Sequence, residues 1–192
     1  MRQNPNRFGQ REAGGGTGGL AASLLAGGTL TLGIDPGTAI CGFGLVAEEK
    51  GALHMVAYGA ITTQAGEPPA ERLRLVYHGL RDIIGQYHPA DVAVEELFFN
   101  KNVRTALQVG QARGVAMLAA AEADLEVAEY TPLQVKQALV GYGRAEKSQV
   151  QEMVRVMLGM DRIPEPDDAA DALAVAICHI HSRQVARRLG VG

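Results

Sequence analysis

The chain has 192 residues, of which 47 % are hydrophobic and 20 % charged, with a formal net charge of −3; these are the proportions of a globular mixed α/β domain, not of a disordered or fibrous chain. No segment is long and apolar enough to span a bilayer, so no membrane partner is expected. The slight acidic excess argues against bulk attraction to nucleic acid and leaves only a local basic face for that purpose.

In chain order, residues 1–28 contain Gly14-Gly15-Gly16-Thr17-Gly18-Gly19 and Gly27-Gly28. They read as a disordered leader, or as a start placed upstream of the native one. A secretory signal fits poorly, because the apolar run from Leu20 to Ala26 is short and diluted by glycine. From Thr29, Leu30, Leu32 and Ile34 alternate with Thr31, Gly33 and Asp35, the period of a strand, with Asp35 at its end on the opposite face. Pro36-Gly37 predicts a turn. Residues 41–47 and 54–61 predict two further strands joined by a hairpin near Lys50-Gly51.

Between residues 71 and 87, Leu73, Val76, Tyr77, Leu80, Ile83, Ile84 and Tyr87 fall at helical spacing. Val92 to Glu95 predicts a short strand. Residues 102–122 predict a helix whose Ala106, Gly110 and Gly114 form a small-residue face, suited to close packing against the chain's own sheet or a second subunit. Residues 125–130 predict another strand, and Thr131-Pro132 a helix start with a capping hydroxyl and proline at the first position. Two helices follow, separated by Gly141-Tyr142-Gly143, and a last helix begins around Asp167, beyond Pro164 and Pro166. His179 and His181 read as ordinary residues of that helix. Residues 183–192 predict a short basic tail, in which Arg183, Arg187 and Arg188 complement a helix dipole or touch DNA. The whole predicts one α/β domain over residues 29–182, a mixed five-stranded sheet flanked by helices. Cys41 and Cys178 lack ligand spacing and read as small buried apolar residues, which suits a reducing cytoplasm.

Asp35 ends the first predicted strand, Glu95 the fourth, and Asp168 and Asp171 open the last helix. If those strands are neighbours, the carboxylates converge and repel unless protons or cations neutralise them. Hard divalent cations with oxygen ligands answer that need; two Mg²⁺ ions about 4 Å apart can bracket a scissile phosphate, one activating water and the other stabilising the leaving oxygen. Each carboxylate also has a plainer reading: Asp35 as a turn residue, Glu95 beside Glu96 as a solvated strand end, Asp168 or Asp167 as a helix cap. Asp171 fits that reading least, since it shares a helix face with Asp168 and is flanked by Ala169, Ala170, Ala172, Leu173 and Ala174.

The blocks Gly33-Ile34-Asp35-Pro36-Gly37, Val92-Ala93-Val94-Glu95-Glu96-Leu97-Phe98, Gln111-Ala112-Arg113-Gly114-Val115-Ala116, Gln134-Val135-Lys136-Gln137, Ala145-Glu146-Lys147-Ser148-Gln149-Val150 and Asp168-Ala169-Ala170-Asp171-Ala172-Leu173-Ala174 resemble, in order, the RuvC family of Holliday junction resolvases, from Leu30 to about His181. The resemblance implies a ribonuclease-H-like fold and a crossover junction endodeoxyribonuclease. Such an enzyme makes paired symmetric nicks in four-way DNA junctions, leaving 3′-hydroxyl and 5′-phosphate ends, in recombination and repair. It implies that Asp35, Glu95, Asp168 and Asp171 bind two Mg²⁺ per subunit, with Mn²⁺ able to substitute, and that Asp168 is the ligand some relatives replace by histidine. Lys136 and Lys147 match family lysines near the scissile phosphate, where an ammonium neutralises developing charge. Phe98 matches a junction-contacting aromatic that can stack on an unpaired base. Phe98 and Phe99 cannot both point inward from one strand, and a core plug is the other reading of the pair.

Lys101, Arg104, Arg113 and Arg144 are candidates to track backbone phosphates. A junction with two symmetry-related strands to cut suggests a homodimer, and the resemblance adds the RuvA and RuvB branch-migration proteins as partners. Asp35-Pro36-Gly37-Thr38 also suits the phosphate-cradling turn of ATP-binding, actin-like folds. Those folds need a second Asp-x-Gly strand, which this sequence lacks.

Overall fold

The structure is a computed structural model that describes residues 11–12, 28–96 and 103–190. Phe98, Phe99 and Lys101 lie outside the described residues, as does the side chain of Arg104. The elements are β1 (Arg11–Glu12), β2 (Thr29–Asp35), β3 (Ile40–Glu49), β4 (Ala52–Thr62), α1 (Pro69–Tyr87), β5 (Asp91–Glu95), α2 (Val103–Ala121), β6 (Glu126–Tyr130), α3 (Pro132–Val140), α4 (Lys147–Met157) and α5 (Asp167–Leu189).

The strands form one sheet in the order β1-β4-β3-β2-β5-β6. β2, β3 and β4 are the expected antiparallel meander, turned between β3 and β4 by Lys50 and Gly51, both at positive φ as a tight two-residue hairpin requires. β5 joins β2 in parallel, and β6 joins β5 in parallel. These five strands and the helices over both faces match the sequence expectation. Beyond them, Arg11–Glu12, within the stretch expected to be a disordered leader, pair with Tyr58 and Ala57 on the outer side of β4.

Period-two alternation sends Leu30, Leu32 and Ile34 of β2 into a core with Val76, Leu80 and Ile83 of α1 and Ala116, Ala119 and Ala120 of α2. The opposite face of the sheet, through Val46, Tyr58 and Ala93, packs on α3, α4 and the buried run of α5 from Ala169 to Cys178. A helix apolar on every side belongs between layers, and α5 lies there, over the middle of the sheet and under α3 and α4. Glycines set its height. A Cβ on Gly33 would lie 2.0 Å from the Ala172 carbonyl oxygen, and one on Gly42 2.0 Å from that of Asp168. Gly33 and Gly42 thus let the helix backbone touch the strands, fixing Asp168 and Asp171 relative to Asp35.

The expected basic tail is the continuation of α5, which runs to Leu189. Arg183 is only 16 % exposed and pairs with Asp91 and, at 3.1 Å, with Glu48. Its side chain therefore closes the far end of the sheet from within, which corrects the reading of it as a dipole partner or DNA contact. His179 joins the same cluster: Nδ1 lies 2.9 Å from the Tyr130 hydroxyl and Nε2 3.4 Å from Asp91. Among the described residues no helix is long and apolar enough to cross a membrane.

Candidate active site

Asp35 and Glu95 end the adjacent parallel strands β2 and β5, paired up to Ile34 and Val94. Their side chains share a hydrogen bond, and burial, then the charges of Glu95, Asp171 and Asp168, push the Asp35 carboxyl up to about 8. Burial and then Asp171 also raise Glu95, opposed by the bond to Asp35 and by Lys147 and Lys136. Burial raises Asp171 as well, with Lys147 pulling the other way. Burial together with mutual repulsion has this signature: the carboxyls are pushed toward the protonated form, and one ammonium is drawn in.

That ammonium belongs to Lys147, the first residue of α4, whose Nζ lies 2.9 Å from Asp171 and 3.2 Å from Asp167. The start of α4 is held by reciprocal bonds between Glu146 and Gln149, a capping box. Thr131 and Gln134 start α3 in the same way, and α3 carries Lys136. Glu95, Lys136, Lys147 and Asp171 line an open cleft of about 200 Å³ together with the apolar Pro132, Val135, Val150 and Ala174.

Among the described residues no three His, Cys, Asp or Glu side chains are placed, as they stand, to hold a metal ion together. The donor set still fits hard cations. Its carboxylate oxygens are partly buried, repel one another and are neutralised by a proton and a lysine, both of which a divalent ion would displace. The capping alternative for Asp168 does not occur, because the cap of α5 is Pro166 and makes no side-chain bond. Asp167, which the sequence suggested only as a cap, instead binds Lys147 and, at 3.1 Å, Gln151.

The basic candidates separate. Arg144 is exposed in the turn between α3 and α4, just before the residues that cap α4. Arg113 turns to Glu129 of β6 in an ion pair. On α2 the buried face is Ala112, Ala116, Ala119 and Ala120, while Gly114 is exposed with open space around it, alongside the exposed Val103, Leu107 and Leu118. At Gly114 the small-residue face therefore does not serve the chain's own sheet.

The sequence profile described as crossover junction endodeoxyribonuclease RuvC matches residues 31–179. The chain belongs to the RuvC family. Family members of that name from Caldanaerobacter subterraneus and Heliobacterium modesticaldum are 58 % and 64 % identical to it, over 84 % and 79 % of this chain and 98 % and 93 % of theirs. Among solved structures, T. thermophilus RuvC in complex with Holliday junction substrate superposes with a TM-score of 0.78 at 37 % identity, covering 82 % of this chain and 96 % of that one. The yeast mitochondrial Holliday junction resolvase shares the fold alone, at a TM-score of 0.63 and 12 % identity over 91 % of this chain and 88 % of that one.

Proposed function

We propose that this RuvC family member is a metal-dependent endodeoxyribonuclease that resolves four-way DNA junctions by paired nicks, serving recombination and repair. The observation that carries the proposal is the meeting of Asp35, Glu95 and Asp171 at the carboxyl ends of β2 and β5 with Lys147 drawn into their charge. Asp35, Glu95, Asp168 and Asp171 would hold two Mg²⁺ ions, or Mn²⁺ in their place. Bound there, such cations supply an activated water and neutralise charge on the leaving oxygen.

The chain's own residues do the rest. Asp35 gives up its proton before it can ligate. With cations held by the carboxylates, Lys147 would be free to turn from Asp171 to the phosphate, and Lys136 lines the same cleft, so two ammonium groups stand where negative charge would grow in the transition state. Breaking the bond between phosphorus and the 3′ oxygen leaves a 3′-hydroxyl and a 5′-phosphate. Phe98 is assigned to the junction by its match to the family aromatic, and Phe99, Lys101, Arg104, Arg113 and Arg144 are the further candidates to contact the DNA.

A second copy of the chain would present the second site to the opposed strand. The exposed apolar side of α2, with Val103, Leu107 and Leu118 around Gly114, suits that contact. RuvA and RuvB are the proposed partners, and buried free Cys41 and Cys178 fit a cytoplasmic setting. A substrate panel tests the reading: with Mg²⁺ the protein should cut a synthetic four-way junction in preference to a flap or an RNA/DNA hybrid. Preference for the hybrid would move it to another nuclease class of the same fold.

A further inference from the structure

Arg72, in the first turn of α1, donates from Nε to the Thr63 hydroxyl at 2.7 Å. The Thr63 hydroxyl in turn donates to the Thr38 carbonyl, also at 2.7 Å, and the Thr63 backbone N–H donates to the Ala39 carbonyl at 3.0 Å. Thr38 lies in the turn that follows Asp35, and Thr63 follows the last residue of β4. This chain of bonds therefore stands at the catalytic end of the sheet. It lies on the side of α1, whereas Lys136 and Lys147 belong to α3 and α4 on the other face.

Two features set Arg72 apart. Its neighbours Arg74 and Arg81 pair with Glu71 and Glu122, but among the described residues no carboxylate forms an ion pair with Arg72. Its Nε is committed to Thr63, which leaves the terminal nitrogens as a fork of donors on a partly buried, fixed side chain. Stapling a loop needs one hydrogen bond and no charge. A planar cation held in place without a counter-charge, in a chain of net charge −3, suits a phosphate. β4 and β2 are two strands apart, about 10 Å at ordinary strand spacing. A DNA strand with its scissile phosphate at Asp35 and Glu95 would therefore pass near Arg72.

We propose that Arg72 grips a backbone phosphate of the bound DNA across the carboxylates from Lys136 and Lys147, with Thr63 fixing its guanidinium. The proposal rests on the nuclease reading above, and the test separates the two. Binding of a synthetic four-way junction is measured by fluorescence anisotropy in chelator across a salt series, for the wild type, Arg72→Gln, Arg72→Lys and Thr63→Val, each checked for folding by circular dichroism. Losing one phosphate contact in Arg72→Gln should make the negative slope of log affinity against log salt shallower by about 0.9 and weaken binding at low salt by roughly tenfold, while Arg72→Lys and Thr63→Val keep the wild-type slope.

An unchanged slope in folded Arg72→Gln overturns the role of Arg72 and leaves the nuclease reading standing. A wild type that does not bind the junction overturns both. Should Arg72→Gln fail to fold, phenylglyoxal labelling of the wild type, read by mass spectrometry, decides: junction DNA must protect Arg72, and equal labelling with and without DNA overturns the proposal.

Discussion

Lys147 Nζ lies 2.9 Å from the Asp171 carboxylate, the first residue of α4 meeting the fifth of α5 over the sheet end. The lysine compensates the acidic cluster in this structure, and on the proposed function it would turn to a phosphate once cations took over that task. Replacing Lys147 by Met should therefore cost catalysis more than affinity. A loss of roughly 100-fold in single-turnover cleavage is expected, the scale of removing one positioned electrostatic group, with junction affinity nearly unchanged. Equal losses in both would assign Lys147 to ground-state binding.

The raised Asp35 carboxyl has a pH signature. With Asp35 pushed up to about 8 by burial and by Glu95, Asp171 and Asp168, the native state keeps a proton that the unfolded chain releases near pH ~4. The folded pKa is raised, so by linkage metal-free stability falls as pH rises from about 4 to about 8, then levels. Asp35→Asn lacks this slope. In chelator its melting temperature should overtake that of the wild type progressively toward pH ~8, and Mg²⁺ should stabilise the wild type more than the variant. A constant difference between the two proteins across the range would contradict the raised carboxyl.

Gly42 carries α5 at backbone contact, since its Cβ would sit 2.0 Å from the Asp168 oxygen. Gly42→Ala should cost about 1–3 kcal/mol by overpacking. Because the helix must lift where it carries Asp168 and Asp171, cleavage should fall further than stability alone explains at temperatures where the variant is folded. Thermal melts and single-turnover rates on the same preparation check this.

At the far end of α5, Arg183 bridges Asp91 and Glu48 in a nearly closed site. Arg183→Met strands two carboxylates and should destabilise by roughly 3–5 kcal/mol, with cleavage intact below the melting point. Burial raises the Asp91 carboxyl, but His179, whose Nε2 lies 3.4 Å away, and the charge of Arg183 outweigh it, leaving a net lowering. This contribution is present above the unfolded carboxyl range and is lost as pH falls through the lowered value. The destabilisation of Arg183→Met should accordingly shrink in acid. A DNA-binding defect at unchanged stability would instead return Arg183 to the role of a DNA contact.

The strand meander and the placing of Asp35, Glu95 and Asp171 were legible because period-two and helical patterns survive wherever one face is buried, and because a carboxylate set among alanines on a helix needs a charged partner or a cation. Arg183 was not legible: near a chain end it looks like surface, and only the pairing of β2 with β5 puts Asp91 beneath it. The partner of Arg113 was hidden for the same reason, as Glu129 reaches it from a strand sixteen positions away in sequence. The seat of α5 left a signal in the glycines at positions 33, 42 and 44, which alternate along two strands where side chains would normally pack. Arg72 left none, because its distinction is the lack of a carboxylate that only the fold can withhold.

The most direct measurement is cleavage of a synthetic four-way junction, labelled on each strand in turn, with Mg²⁺ or Mn²⁺ and with the wild type beside Asp35→Asn. Symmetric nicks on two opposed strands are expected from the wild type and none from the variant, with junction binding retained by both. Nicking by Asp35→Asn at the wild-type rate, or tight binding by a wild type that never cuts, would contradict the assignment of these carboxylates as the nuclease centre.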